Sequence, residues 1–231
     1  MGDTVDLPEI LAEHRTDDAA KLLHRYYTEK TTTGSIRTGA HFDTWAGRGD
    51  ARDVVNTVTA DDLLALSLLS VEVKGPAVIG LLETHAADIT RLLEQIPADL
   101  DMAAVRPEDY AGMYGKDSAA WRLWEVIRGY KGGQWRMGPT KTSKLLARKR
   151  RRLIPIWDSV VARSAGLNSS LTYWEEWHRL LTADDGALAG RLERIRAAAD
   201  LSVEVSALRV MDVVLWMDGK QRGYRSAADD D

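Results

Sequence analysis

Between residues 138 and 163 the chain carries Lys141, Lys144, Arg148, Lys149, Arg150, Arg151, Arg152 and Arg163, with Asp158 as the only acid. The window is +7 in a chain of formal charge -4, which leaves -11 for the remainder. Gly138 stands immediately before "PTKTSKLLARKR", a segment of helical periodicity. Backbone N–H groups at a helix start, reinforced by the helix dipole, can hold a phosphate, and glycine lets an oxygen approach closely. Lys141 and Lys144, three residues apart, share a helix face that Arg148 continues. Such a face suits a nucleic-acid backbone, which fixes a protein in place without reading sequence. Cations in a last helical turn also complement the dipole. That accounts for Arg148 to Arg152, but not for Lys141 and Lys144 in the first turns. Asp158, just before "SVVARSAG", has the position of an N-cap, a role worth about 1 kcal/mol.

The elements that must carry these residues read as helices almost throughout. "LPEILAEHR" and "DDAAKLLHRYY" are the first two. Residues 28–50 form a long polar, glycine-containing connection, of a length associated with function or mobility. Thr59 caps a buried helix over 59–73. Residues 76–95 form one long amphipathic helix with Pro76 in its first turn. Ser118 caps another over 118–130, and a turn-rich connection leads to the basic helix. The helix after Asp158 ends at Gly166. "SLTYWEEWHRLL", "ADDGALAGRLERIRAAA" and "VEVSALRVMDVVLWM" complete the set, and the tail "SAADDD" is expected to be disordered. The fold class is all-α.

Composition sets the bounds. With 231 residues and 45% hydrophobic content the chain can bury a core without staples. It has no cysteine, which excludes disulfides and thiolate metal sites. No apolar run reaches the roughly 18 residues of a membrane span, and "MGDTVDLPEILAEHR" lacks the pattern of a signal peptide. No membrane contact is expected, and the expected location is the bacterial cytoplasm, at the nucleoid. The five histidines show no metal-ligand spacing. P-loop, nucleophile-elbow and zinc-protease motifs are absent, and neither a metal nor a cofactor is expected.

The order helix, short glycine turn, helix, then "IPIWDSVVAR" resembles the helix-hairpin-helix DNA glycosylase superfamily over residues 59–166. Met137-Gly138 supplies the second half of that family's glycine-hydrophobe-glycine turn, with Arg136 where the first glycine would be. Asp158 lies 18 residues after Thr140 and five before Arg163, close to the family's register. The "SKLLARKR…LIP…DSVV" core is also similar to an actinobacterial group of proteins with which no activity is associated.

The resemblance implies two helical lobes with a cleft between them, an inserted lobe of about 74–137 and a second formed by 1–73 with 138–225. It implies that Asp158 is the catalytic carboxylate, stabilising the positive charge that builds on the sugar as an N-glycosidic bond breaks. Gly138, Thr140, Lys141, Lys144, Arg148 and Arg163 would contact DNA phosphates. Ser70, Val71 and Glu72 would fill the gap left by a flipped nucleotide. His41, Trp45, Trp121 and Trp124 are base-pocket candidates. Bifunctional members carry a lysine where Thr140 stands, so a monofunctional, monomeric enzyme acting on duplex DNA is expected. The alternative is a scaffold without chemistry, a DNA-binding or protein-interaction module; the -11 remainder and the incomplete turn favour it.

Overall fold

The computed structural model describes residues 5–129 and 135–225. Eleven α-helices are described: α1 (Thr16–Thr28), α2 (Ala60–Ser67), α3 (Gly75–Ile79), α4 (Ala86–Leu93), α5 (Tyr110–Tyr114), α6 (Ala119–Ile127), α7 (Pro139–Lys149), α8 (Ser159–Ser164), α9 (Tyr173–Thr182), α10 (Ala187–Ala198) and α11 (Ala207–Gln221). Among the described residues there is no β-strand, only one isolated bridge between Lys30 and Ile36. The protein is all-α. No helix among the described residues is long and apolar enough to cross a membrane.

Local signals set the helix starts. Thr59 accepts a hydrogen bond from Asp62 N, and the Asp62 carboxylate accepts from Thr59 N, a reciprocal capping box at the head of α2. Ser118 and Asp158 cap α6 and α8 one way, accepting from Trp121 N and Val160 N. Three segments differ from their expected form. The helix expected over 59–73 ends at Ser67, and a turn with Ser70 at φ 57° follows it. The 76–95 stretch is not one helix: a π-helical turn (Gly80–Thr84) and His85 separate α3 from α4. Trp135 lies so close to Gly80 that an added Cβ would meet its ring at 2.7 Å, so the turn follows tertiary packing rather than periodicity. "LPEILAEHR" forms two short 3₁₀ turns instead of an α-helix. The tail 226–231 and residues 131–134 of the expected hairpin lie outside the described residues.

The core is organised around α11, which packs against α1, α8 and α10. Val210, Val213, Val214 and Leu215 are fully buried, and Met211 and Met217 nearly so. A helix that is apolar on all sides must run inside the protein. Its polar residues Arg209 and Asp212 are therefore buried as well and need partners. Those partners define the site.

Candidate functional site

The 28–50 connection is held down from below by the basic run of α7. Arg148 donates to Phe42 O at 2.7 Å and Trp45 O at 2.5 Å, and its Nε pairs with Asp62 at 3.2 Å. Lys149 donates to Val54 O at 2.8 Å and to the other Asp62 oxygen at 3.0 Å. Arg150, fully buried, donates to the carbonyls of Ile96, Val55 and Leu93 and to Asn56 Oδ1. Burial pulls the Lys149 ammonium below its usual range and the Arg150 guanidinium down to about 10. Arg151 pairs with Asp50 and Glu204, and Arg152 with Asp101. The positive window is thus mostly spent inside the protein. Arg148, expected at a phosphate, faces Asp62 and two loop carbonyls instead.

So anchored, the connection forms one wall of a cavity of about 340 Å³. Its buried end holds Lys144, Asp158, Arg209 and Asp212; Tyr26 and Trp216 form an aromatic side; exposed Thr33, Ser35, Thr38 and Ser70 and half-buried Arg37 line the outer part. Tyr26 and Trp216 meet edge to face, with centroids 5.8 Å apart. Gly39 brings the loop backbone in tightly, since a Cβ there would meet Tyr26 Oη at 2.0 Å.

The four charged groups are interlocked. Lys144 Nζ donates to Leu69 O at 2.9 Å and to Asp158 Oδ2 at 3.3 Å. Asp158 Oδ1 accepts from Val160 N at 2.9 Å, the cap of α8. Arg209 donates to Asp43, Asp212, Tyr26 Oη and Gly39 O. Burial disfavours the Arg209 charge, but Asp43, the two tyrosines and Asp212 outweigh it and hold the guanidinium well above its usual range. Burial depresses the Lys144 ammonium despite the attraction of Asp158 and Asp212. Burial, opposed by Arg209 and reinforced by Asp158, pushes the Asp212 carboxyl up to about 6. Two carboxylates in one cavity, held differently, form the arrangement from which acid–base chemistry is built. Among the described residues no group of three or more His, Asp or Glu side chains is placed to hold a metal.

The residues singled out from the sequence fall in different places. Asp158, Lys144 and Ser70 line the cavity together. Lys144 points inward at Asp158, only 4% exposed, rather than outward to a phosphate. Ser70, at φ 57°, follows the end of α2, where Val71 N donates to Leu66 O. Exposed Glu72 pairs with Lys74, which together with Lys141 lowers its carboxyl. Lys141 and Thr140 are half-buried in the first turn of α7. Gly138 is the cap residue of α7, with open space where a Cβ would be. Arg136 adopts φ 56°, the left-handed conformation that usually requires glycine. Arg163 is exposed and lies over Tyr224, 5.3 Å from the ring.

None of the four pocket aromatics lines the cavity. Trp124 is 2% exposed in the core and Trp121 packs edge to face on Trp174. His41 and Trp45 sit on the outer side of the 28–50 connection, exposed. Sequence reading missed Tyr26, Arg37, Arg209, Asp212 and Trp216. The available signal was Arg209 and Asp212, three apart within the otherwise apolar "VSALRVMDVVLWM".

The fold and site define an all-α protein with a charged cavity of about 340 Å³ between α1, α7, α8 and α11. Residues 19–219 match a family of unknown function, DUF6308, and the chain belongs to it. No curated protein and no solved structure matches the chain.

Proposed function

We propose that the protein has the helix-hairpin-helix glycosylase architecture, with a cleft between lobes of about 74–137 and of 1–73 with 138–225, and acts as a monofunctional DNA glycosylase. One observation carries this reading. Asp158, the catalytic carboxylate that the resemblance implies, and Ser70, of the wedge that it implies, come from segments 88 residues apart and line one cavity. The left-handed Arg136 at the family's first glycine position supports it further. A flipped base enters the cavity against the aromatic side formed by Tyr26 and Trp216, and Ser70 with its neighbours fills the gap in the duplex. Asp158, hydrogen-bonded to Lys144, stabilises the sugar cation and directs water to it. The half-buried Lys141 and the start of α7 hold a phosphate.

The test is abasic-site formation on duplexes carrying single modified bases. The wild type yields an intact strand with an abasic site, and Asp158→Asn lowers the rate by about 10²- to 10³-fold, with duplex affinity retained. An Asn variant with full activity would reduce Asp158 to a helix cap. A borohydride-trapped adduct lost in Lys144→Met would make the enzyme bifunctional.

The burial of Lys144 and Arg148 favours a second reading, a scaffold that binds DNA or protein without chemistry. It predicts no excision from any duplex. Duplex binding that weakens with salt and with Lys141→Glu then separates a DNA partner from a protein partner.

A further inference from the structure

Asp158 and Asp212 line the same cavity but are bound differently. Both oxygens of Asp158 are occupied, one by Val160 N and one by Lys144. Asp212 gives Oδ2 to Arg209, while its Oδ1 accepts no hydrogen bond among the described residues, on a side chain only 7% exposed. That oxygen is not sealed in the core but opens on the cavity, where it can carry a proton or meet a ligand. We propose that Asp212 is a second catalytic residue, an acid that protonates the departing base, and that the substrates are therefore neutral rather than cationic modified bases. This inference rests on the base-excision reading of the cavity.

The groups facing Asp212 make the division of labour. Arg209 comes from its own helix, Lys144 from α7 and Asp158 from the head of α8. Behind Arg209 stand Asp43 of the long connection and Tyr26 of α1. Lys144 is hydrogen-bonded to Asp158, and Arg209 is shared between Asp43 and Asp212. Asp212 thus shares its guanidinium with a second carboxylate, and burial raises its carboxyl to about 6.

The step balances. The C1′–N bond breaks and its electron pair passes to the base nitrogen. The Asp212 carboxyl proton moves to an acceptor nitrogen or oxygen of the base, which leaves neutral. Water adds its oxygen to C1′, and its surplus proton passes to Asp158 and on to solvent. Solvent then returns a proton to Asp212. One water is consumed, and the products are the free base and a 1′-hydroxyl sugar. A base alkylated to a cation already carries the charge that the proton would supply and departs neutral without it. A neutral base would depart as an anion unless protonated.

The experiment uses the full chain and duplexes with one modified base: hypoxanthine, uracil or 8-oxoguanine as neutral probes, N7-methylguanine or N3-methyladenine as cationic ones. Free-base release is followed by chromatography. Asp212→Asn is expected to lower the ratio of neutral to cationic excision by about 10²- to 10⁴-fold, whereas Asp158→Asn lowers both rates. In the wild type, neutral-base excision falls as pH rises above about 6, and cationic-base excision lacks that limb. An unaltered ratio with no such limb, or a wild type that releases only cationic bases, overturns the role of Asp212 and leaves base excision standing. Release of no base at all overturns both. Should Asp212→Asn fail to fold, as judged by circular dichroism, the wild-type pH comparison decides.

Discussion

Two clusters of buried charge begin four residues apart on one helix, at Lys144 and Arg148, and they are built to different ends. At Asp62, the carboxylate takes Arg148 on one oxygen and Lys149, Thr59 N and Thr59 Oγ1 on the other. The remaining donors of Arg148, Lys149 and Arg150 end on backbone carbonyls of the 42–56 and 93–96 segments, on Lys149 O and on Asn56. Around Lys144 the same ingredients enclose a cavity, and one carboxylate oxygen of Asp212 has no donor. Both clusters are about equally deep, so burial of charge does not by itself distinguish a joint from a site. An unanswered group facing space does.

The comparison can be broken by making one kind of change in each cluster. Asp62→Ala leaves two cations buried without their carboxylate, and a loss of about 3–5 kcal/mol is expected, read as a lower urea midpoint. Asp212→Asn leaves Arg209 with Asp43, Tyr26 and Gly39 O, and should cost about 1 kcal/mol or less at pH 7. Equal losses at the two positions would erase the distinction.

An effect smaller than that at Asp62 is expected at the cavity wall. Gly39→Ala drives a methyl group into the Tyr26 hydroxyl, a clash of overpacking worth about 1–3 kcal/mol. It should shift the Tyr26–Trp216 contact, read as altered Trp fluorescence, before it unfolds the protein. An unaltered fluorescence would place the loop elsewhere in solution.

The smallest effect sharpens the assignment of Asp212. Its carboxyl keeps a proton up to about pH 6 when folded but releases it near 3.8 when unfolded. The folded chain therefore holds the extra proton between those values, and the associated stability is present below pH 3.8 and lost as pH rises to about 6. The difference in stability between wild type and Asp212→Asn should decline across that window. A flat difference would mean that Asp212 is ionised throughout.

Much of the scaffold was legible because its causes are local. Thr59, Ser118 and Asp158 cap helices through atoms within three residues, and Gly166, at φ 68°, ends α8 as its type suggests. The site was half legible. Asp158 and Ser70 carry a pattern in their own segments, but the partners that give them a cavity do not. Tyr26, Arg209 and Trp216 are joined by packing across up to 190 residues. The direction of Lys144 was not legible either. Its helical face was, but whether that face meets solvent or Asp158 depends on where α8 and the 28–50 connection come to rest. The break of 76–95 likewise required Trp135, outside that segment.

The tethers of the 28–50 connection bear on how the protein is made. Arg148 reaches Phe42 across 106 residues, and Arg209 reaches Gly39 across 170. As the chain leaves the ribosome, α7 and Asp62 are present together well before α11 emerges, so the first cluster can close while the second still lacks Arg209 and Asp212. The cavity is then the last region to be assembled, and it exists only when α11 has docked. Pulse-labelled hydrogen exchange during refolding should find the amides of α7 protected before those around Gly39.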